Sequence, residues 1–402
     1  MKKKVLQMVA FVLAMLMVAG LATACRDSDD GYLRGGEPVN EVTIGMIGPL
    51  TGGVSQFGTA VQRGVNLYID QFNARGGLQI SVSVHDDEGA AAAAAVGFDR
   101  LVDQGVTAII GGVTSGPTRA IVPLAYEANM PMITATATHF NVTVCADTGN
   151  VFTNMFRACF IDPFQGQRMA EFAFEILGAR TAAVLYSNEI DYSIGLMDAF
   201  VRRAGEIGLD VVEVQRFADD ALDFRSQLAI IAAHSPDVLF VPAYYRHIGL
   251  IGPQSVDVGL PNTTFIGADG WATITDFMTD ASSVEGAYFL TGFSAEADDP
   301  LVQNFVAAYR ARHGDTPNMF TAQAYDAAKI LVAALELTIA NTDYVPGSDP
   351  FRTALIANMA ATDLYGVTGR ITFDELNNPE KTAIILQVQD GEEVFWGYFP
   401  VK

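Results

Sequence analysis

The stretch Glu41-Val42-Thr43-Ile44-Gly45-Met46-Ile47-Gly48-Pro49-Leu50-Thr51-Gly52 decides the fold. Its first seven residues are apolar and β-branched enough to read as a strand, and Gly48-Pro49 ends it. Helical spacing follows in Val61, Val65, Leu67, Tyr68, Ile69 and Phe72, until Gly76-Gly77 stops it. The alternation then repeats: 78–84 predicts a strand, 90–101 a helix, 107–110 a strand, and Pro131-Met132-Ile133-Thr134 the start of a fourth. After Cys159 it restarts, with helices over 165–177, 194–205, 222–233 and 244–258 and strands over 181–186, 210–216, 238–241 and 264–266. Helices follow over 301–312, 321–340 and 351–360, then a hairpin around Asp390-Gly391. Strands alternating with helices predict a parallel sheet covered on both faces, so the fold class is α/β, with two doubly wound units in series.

The N-terminus carries a different signal. Lys2-Lys3-Lys4 precedes an apolar run from Val5 to Ala19, and small residues lead to Cys25. A basic start, a short apolar run and small residues at the exit make a secretion signal over 1–24. The run is too short to cross ~30 Å of hydrocarbon comfortably as a helix. Leu21-Ala22-Thr23-Ala24-Cys25 resembles a bacterial lipobox, which implies a lipid on Cys25 and export to the outer side of the cytoplasmic membrane. Plain cleavage after Ala24 is the alternative. The polar, glycine-rich stretch 25–40 reads as a flexible tether. What remains, about 360 residues, is too long for one ordinary core and divides into two domains.

The formal net charge of −22 excludes nucleic acid as a partner, because phosphate binding needs clustered Lys and Arg. Cys145 and Cys159 are the other two cysteines, and in an oxidising compartment they are expected to form a disulfide. The histidines are scattered, with no His-x-x-x-His or Cys-x-x-Cys pair, so neither metal nor cofactor is expected. Gly-x-Ser-x-Gly is absent and no nucleophile stands beside a base, so nothing supports an enzyme.

Ligands of open parallel sheets sit outside the carboxyl ends of the strands, and three such loops carry suitable chemistry. Gly111-Gly112-Val113-Thr114-Ser115-Gly116-Pro117 places Ser115 at the mouth of a helix, where free N–H groups and the dipole attract an anion. A capping serine without a ligand fits that loop equally well. In Thr134-Ala135-Thr136-Ala137-Thr138, alternation at a strand end would put three hydroxyls on one side. In Gly267-Ala268-Asp269-Gly270-Trp271 a carboxylate follows a strand, where it would face a buried cation or simply make a turn.

Taken together, the chain resembles the bacterial periplasmic amino-acid binding proteins of the leucine/isoleucine/valine type, which feed ABC importers. The marks run from Ile44-Gly45-Met46-Ile47-Gly48-Pro49-Leu50-Thr51-Gly52 through Gln56-Phe57-Gly58, Asn73-Ala74-Arg75-Gly76-Gly77, Asp86-Asp87, Phe156-Arg157, Asp162, Gln165-Gly166 and Ala324-Tyr325-Asp326-Ala327-Ala328. The resemblance implies two lobes, 41–158 with 291–365 and 159–290 with 366–402, joined by crossovers near Arg157, Thr291 and Gly366. It implies that Ser115 binds a ligand carboxylate, that Thr136 and Thr138 add polar contacts, and that Asp269 pairs with the α-ammonium. Aromatic contacts then fall on Phe57, Tyr192, Tyr244 and Phe320. Asp269 stands where aliphatic amino-acid binders carry the longer Glu. The implied protein is a monomeric, lipid-anchored binder of an amino acid, branched-chain or similar, that serves an ABC permease. Relatives binding amides, urea or aromatic acids, or sensing without transport, share the fold.

Overall fold

A computed structural model describes residues 38–260, 263–278 and 280–399, the side chain of Asp276 excepted. The expected signal segment and Cys25 lie outside the described residues.

Two sheets organise the chain. The first contains β1 (Glu41–Gly48), β2 (Gln79–Asp86), β3 (Ile109–Ile110), β4 (Met132–Thr134) and β5 (Met155–Arg157), all parallel, in the order β2-β1-β3-β4-β5. Helices α1 (Ser55–Asn73), α2 (Ala91–Asp103) and α3 (Ser115–Glu127) make its crossovers. Flanked by β2 and β3, β1 is buried from Ile44 to Gly48, as a central parallel strand covered on both faces must be.

The second sheet begins with α4 (Asp162–Glu171) and β6 (Thr181–Ser187) and continues with α5 (Asp191–Ile207), β7 (Asp210–Phe217), α6 (Arg225–His234), β8 (Val238–Phe240), α7 (Tyr245–Asp257), β9 (Thr264–Gly267), the short α8 (Ile274–Phe277) and β10 (Tyr288–Thr291). Its order is β14-β13-β10-β9-β8-β6-β7. The last two strands come from the C-terminal hairpin, β13 (Ala383–Gln389) and β14 (Glu392–Phe399), which adds antiparallel to β10.

Between β10 and β13 the chain returns to the first sheet. It forms α9 (Pro300–His313), α10 (Met319–Asn341), α11 (Asp349–Ala360) and a small hairpin of β11 (Asp363–Gly366) and β12 (Gly369–Thr372). Helix α10 lies on α1, with Tyr325 edge-on to Tyr68 at 5.1 Å and hydrogen-bonded to Gln71 at 2.7 Å. Contacts with the first sheet run past Gly366: Phe373 packs on Phe156, and Asn377 donates to the Met155 carbonyl (3.0 Å). The final return to the second sheet therefore falls between Asn378 and Ala383. Asp326 of α10 anchors the turn between β11 and β12 by accepting from the N–H groups of Val367 and Thr368, both at 2.8 Å.

The expected disulfide does not form: Cys145 and Cys159 are both free. Cys145 sits before β5, beside the Val144–Val151 bridge, whereas Cys159 lies beyond its far end with its thiol on the Ala137 carbonyl. Cys159 is buried whereas Cys145 is partly exposed, so the two thiols lie in different surroundings. Burial pushes the Cys159 thiol up to about 12, so it stays protonated.

In each sheet the strand order reverses once, between β1 and β3 and between β6 and β8. Such reversals open a crevice at the carboxyl ends of the strands. Here the two crevices face one another.

Helix α1 lies close enough to α10 that a Cβ on Gly64 would stand 2.2 Å from the Thr321 carbonyl oxygen, whereas one on Gly205 in α5 meets nothing within 4 Å. Gly64→Ala should thus lower stability by about 1–3 kcal/mol, and Gly205→Ala should raise it by about 0.5–1 kcal/mol. Urea unfolding midpoints of the two variants check the pair.

Candidate functional site

The site is built from loops at the carboxyl ends of six strands. Phe57 follows β1, Ser115 follows β3, and Thr136 and Thr138 follow β4. From the opposite sheet, Tyr192 follows β6, Tyr244 follows β8 and Asp269 follows β9. With Phe320 of α10, all eight residues expected from the sequence line one small cavity, together with Val113, Thr114 and Gly270.

One end is electropositive. Helix α3 is capped by Thr114, and Ser115 is its first helical residue. The N–H groups of Ser115 and Gly116 precede the first intrahelical bond, Thr118 N–H to Thr114 C=O (3.2 Å), and Pro117 has no N–H to offer. Ser115 Oγ accepts from the His139 N–H (3.3 Å), which leaves its own hydrogen free to point into the cavity. Two free amides, a hydroxyl and the helix dipole make this end suited to an anion.

The threonines divide their work. Thr134 lies inside β4 and spends its hydroxyl on the Gly112 carbonyl (2.6 Å), so it does not line the cavity. The strand ends there, and the expected alternation of three hydroxyls ends with it. Thr136 donates to the Val113 carbonyl (2.7 Å), so only its lone pairs remain for a ligand. Arg157, wholly buried at the end of β5, pins the loop from below by donating to the carbonyls of Ala137 and His139, both at 3.1 Å.

The other end is electronegative. Asp269 is 2% exposed, and Oδ1 accepts from the Tyr192 hydroxyl at 2.8 Å. That hydroxyl also accepts from the Gly270 N–H (2.8 Å), while the Asp269 N–H donates to Gln165 Oε1 of α4 (3.0 Å). A Cβ on Gly270 would stand 2.8 Å from the Tyr192 hydroxyl, which explains the glycine. Burial pushes the Asp269 carboxyl up to about 6, against the pull of the Tyr192 hydrogen bond. Its second oxygen remains available to a cation. The sequence did not single out Gln165 as a site residue; a polar residue on the buried face of α4 was the available signal.

Aromatic rings form the walls between the two ends. Phe57 stacks on Phe320 at 4.4 Å and meets Tyr244 edge-on at 5.5 Å, and Tyr244 stacks on Tyr192 at 5.0 Å. Polar contacts join the two sides around the rim: Arg119 of α3 to Asp191 of α5 (2.6 Å), and Thr273 to Gln56 (2.9 Å). Among the described residues no group of three or more His, Cys, Asp or Glu could hold a metal.

Comparisons with known proteins agree with this architecture. The sequence profile of the periplasmic binding protein family matches residues 41–393. A Leu/Ile/Val-binding protein of Rhizobium johnstonii is 27% identical over 340 residues, covering 83% of this chain and 89% of its own. The branched-chain amino acid transporter substrate binding protein of Streptococcus pneumoniae, solved in complex with isoleucine, is 28% identical at a TM-score of 0.79, covering 89% of this chain and 99% of its own. A solute binding protein of an ABC transporter from R. palustris, solved in complex with benzoate, is 23% identical at a TM-score of 0.79, covering 89% and 96%; this likeness is one of fold.

Removing the Tyr192 hydroxyl takes away the hydrogen bond that holds the Asp269 carboxylate charged. Tyr192→Phe should therefore move the Asp269 titration midpoint above its value of about 6. The carboxyl carbon shift followed by NMR against pH reads this directly.

Proposed function

The chain belongs to the periplasmic binding protein family, and from that premise we propose that it captures a free α-amino acid between its two lobes and hands it to an ABC permease. It is a solute-binding protein that works outside the cytoplasm, and not an enzyme. The observation that carries the amino-acid reading is the opposition of two unlike ends in one small cavity. Free amides at the head of α3 face a buried carboxylate, Asp269, with an aromatic wall between them. A zwitterion satisfies both ends at once, and in a site shut off from water its charge-assisted hydrogen bonds are strong. The aromatic walls would favour an apolar side chain on that ligand, in keeping with the branched-chain relatives.

Each lobe comprises one sheet and its helices, and the chain passes between them near Arg157, near Thr291 and between Asn378 and Ala383. The R. palustris neighbour holds benzoate, which has a carboxylate and no amine. Such a ligand here would leave Asp269 buried without a counter-charge, so the zwitterion is the better match. The lipid on Cys25 would hold the binder on a tether beside its permease.

Calorimetric titration with the standard α-amino acids should find a branched-chain or similar ligand, and silence across the set would sink this reading. Asp269→Asn should weaken that binding by on the order of 10-fold or more, through loss of a charge-assisted bond. The matching carboxylic acid without its amine should bind far more weakly; equal binding would favour the aromatic-acid alternative. For the anchor, metabolic labelling with a fatty acid should mark the wild-type chain and not Cys25→Ser.

A further inference from the structure

Tyr244 caps helix α7 and lines the cavity, and the two residues after it reach past the cavity to the opposite lobe. The Tyr245 ring is 2% exposed and meets Phe57 of α1 edge-on at 4.8 Å. Its hydroxyl accepts from the Gln56 N–H (3.4 Å), on the same residue whose side chain accepts from Thr273. Arg246 lies against the exposed turn before α1: a Cβ on Gly53 would stand 3.2 Å from Arg246 Nη1 and 3.3 Å from its Cδ. A side chain at position 53 would therefore compete with the guanidinium for its seat. Three consecutive residues at the head of one helix thus rest on Phe57, Gln56 and Gly53 of the first lobe.

Arg246 is held from its own side as well. Asp219, in the loop after β7, accepts from Arg246 Nη2 through its carboxylate and, at 3.3 Å, through its carbonyl. That loop is fixed in turn: the Asp219 N–H donates to the Glu189 carboxylate (2.9 Å), and the His247 ring donates to the Asp219 carbonyl (2.9 Å). The guanidinium is aimed before it meets the other lobe, so little side-chain freedom is lost on contact. The hollow that Arg246 and Gly53 border shares Thr114 and Tyr244 with the ligand cavity, which puts their contact at the cavity's edge. The seat is incompletely satisfied, for Arg246 Nε is shut off from water without a partner. A contact that must open again in every cycle is better weak than strong.

We propose that Tyr245 and Arg246 are positioning residues that set how long a captured solute stays. The head of α7 latches onto the segment from Gly53 to Phe57 once solute is inside, and its release lets the solute out. These contacts bridge the lobes without lining the ligand cavity, so they stabilise the closed form and act on release rather than on capture. The ring of Tyr245 supplies most of the hold, because an aromatic contact withdrawn from water outweighs a partly exposed guanidinium. The proposal rests on the amino-acid reading only for the choice of probe.

A chase of the tightest-binding standard amino acid, radiolabelled, from the mature protein reads the latch directly. Tyr245→Leu should speed release on the order of 10-fold. Association should change by less than about twofold, since the latch forms after encounter. Tyr245→Phe, which keeps the ring, should recover most of the loss. Gly53→Val, at an exposed turn, should unseat Arg246 and speed release about threefold, as should Arg246→Ala. Joined, these two should do little more than either does singly, because both remove one contact. Release unchanged in both Tyr245→Leu and Gly53→Val, or a loss of affinity that falls on association instead, overturns the latch. Fully multiplicative effects of Gly53→Val and Arg246→Ala overturn their pairing. Single-molecule energy transfer between a dye on each lobe gives a readout without solute. Closed excursions should shorten by a similar factor in Tyr245→Leu, and unaltered dwell times overturn the latch. Absence of binding by every amino acid would instead strike the reading beneath the probe, with the dwell times still deciding the latch.

Discussion

A carboxylate withdrawn from water must be compensated, and the arrangement around Asp269 is organised by that requirement. Its desolvation cost in a protein interior is several kcal/mol, larger than any single neutral hydrogen bond returns. Tyr192 donates to one oxygen, Gly270 steadies that same hydroxyl, and Gln165 fixes the backbone from which the side chain springs. These partners come from α5, from the loop itself and from α4. The second sheet's strand order, its glycine at position 270 and the packing of α4 against α5 all serve to hold one acid in place. Even so the compensation is partial, and the carboxyl stays raised to about 6. The proposed ammonium would remove that deficit.

The fold was legible in the sequence because its signal is periodic and local. Long apolar strands such as β1 and β6, and helices with a single buried stripe such as α1, announce themselves by spacing alone. Short elements are uneven: β3, β4, β8 and β9, two to four residues each, fall on strands the sequence predicts, but β5 and β10 do not. β5 is three residues long and β10 four, and both are defined by neighbours far away in sequence. The same limit explains the cysteines: fourteen positions apart looks close, but Cys159 is buried beyond β5 on the Ala137 carbonyl while Cys145 is partly exposed well before it. Proximity along a chain says little once an extended segment intervenes.

The site was legible to a different degree. Residue types at the carboxyl ends of strands pointed to Ser115, Thr136, Thr138 and Asp269, and the resemblance to amino-acid binders added the four aromatic residues. What local patterning could not supply was the direction of each hydrogen bond. Thr134, Thr136 and Thr138 look equivalent in sequence. In the structure one hydroxyl is spent inside the sheet, one donates to a backbone carbonyl, and one stands beside a buried acid. Asp162 and Gln165 were visible only as marks of resemblance, because their significance lies in long-range partners, Thr138 and Asp269, which the sequence separates by 24 and 104 positions.

The division of the site between the two lobes has a thermodynamic consequence. The anion-binding end, Ser115 with the free amides of α3, belongs wholly to the first sheet, and Asp269 belongs wholly to the second. The aromatic walls are split the same way, Phe57 and Phe320 against Tyr192 and Tyr244. A ligand shifts a conformational equilibrium only by its difference in affinity for the two states. On separated lobes the proposed zwitterion would reach one end or the other, so most of the second charge's interaction would be reserved for the closed state. The rim contacts, Arg119 to Asp191 and Thr273 to Gln56, are too exposed or too few to hold the lobes together strongly alone, since surface ion pairs contribute only about 0–1 kcal/mol. On the proposed amino-acid reading, closure with a ligand would pair Asp269, and closure without one would not. The same buried acid that would make an empty closed form costly would then make the occupied one selective for a ligand carrying both charges.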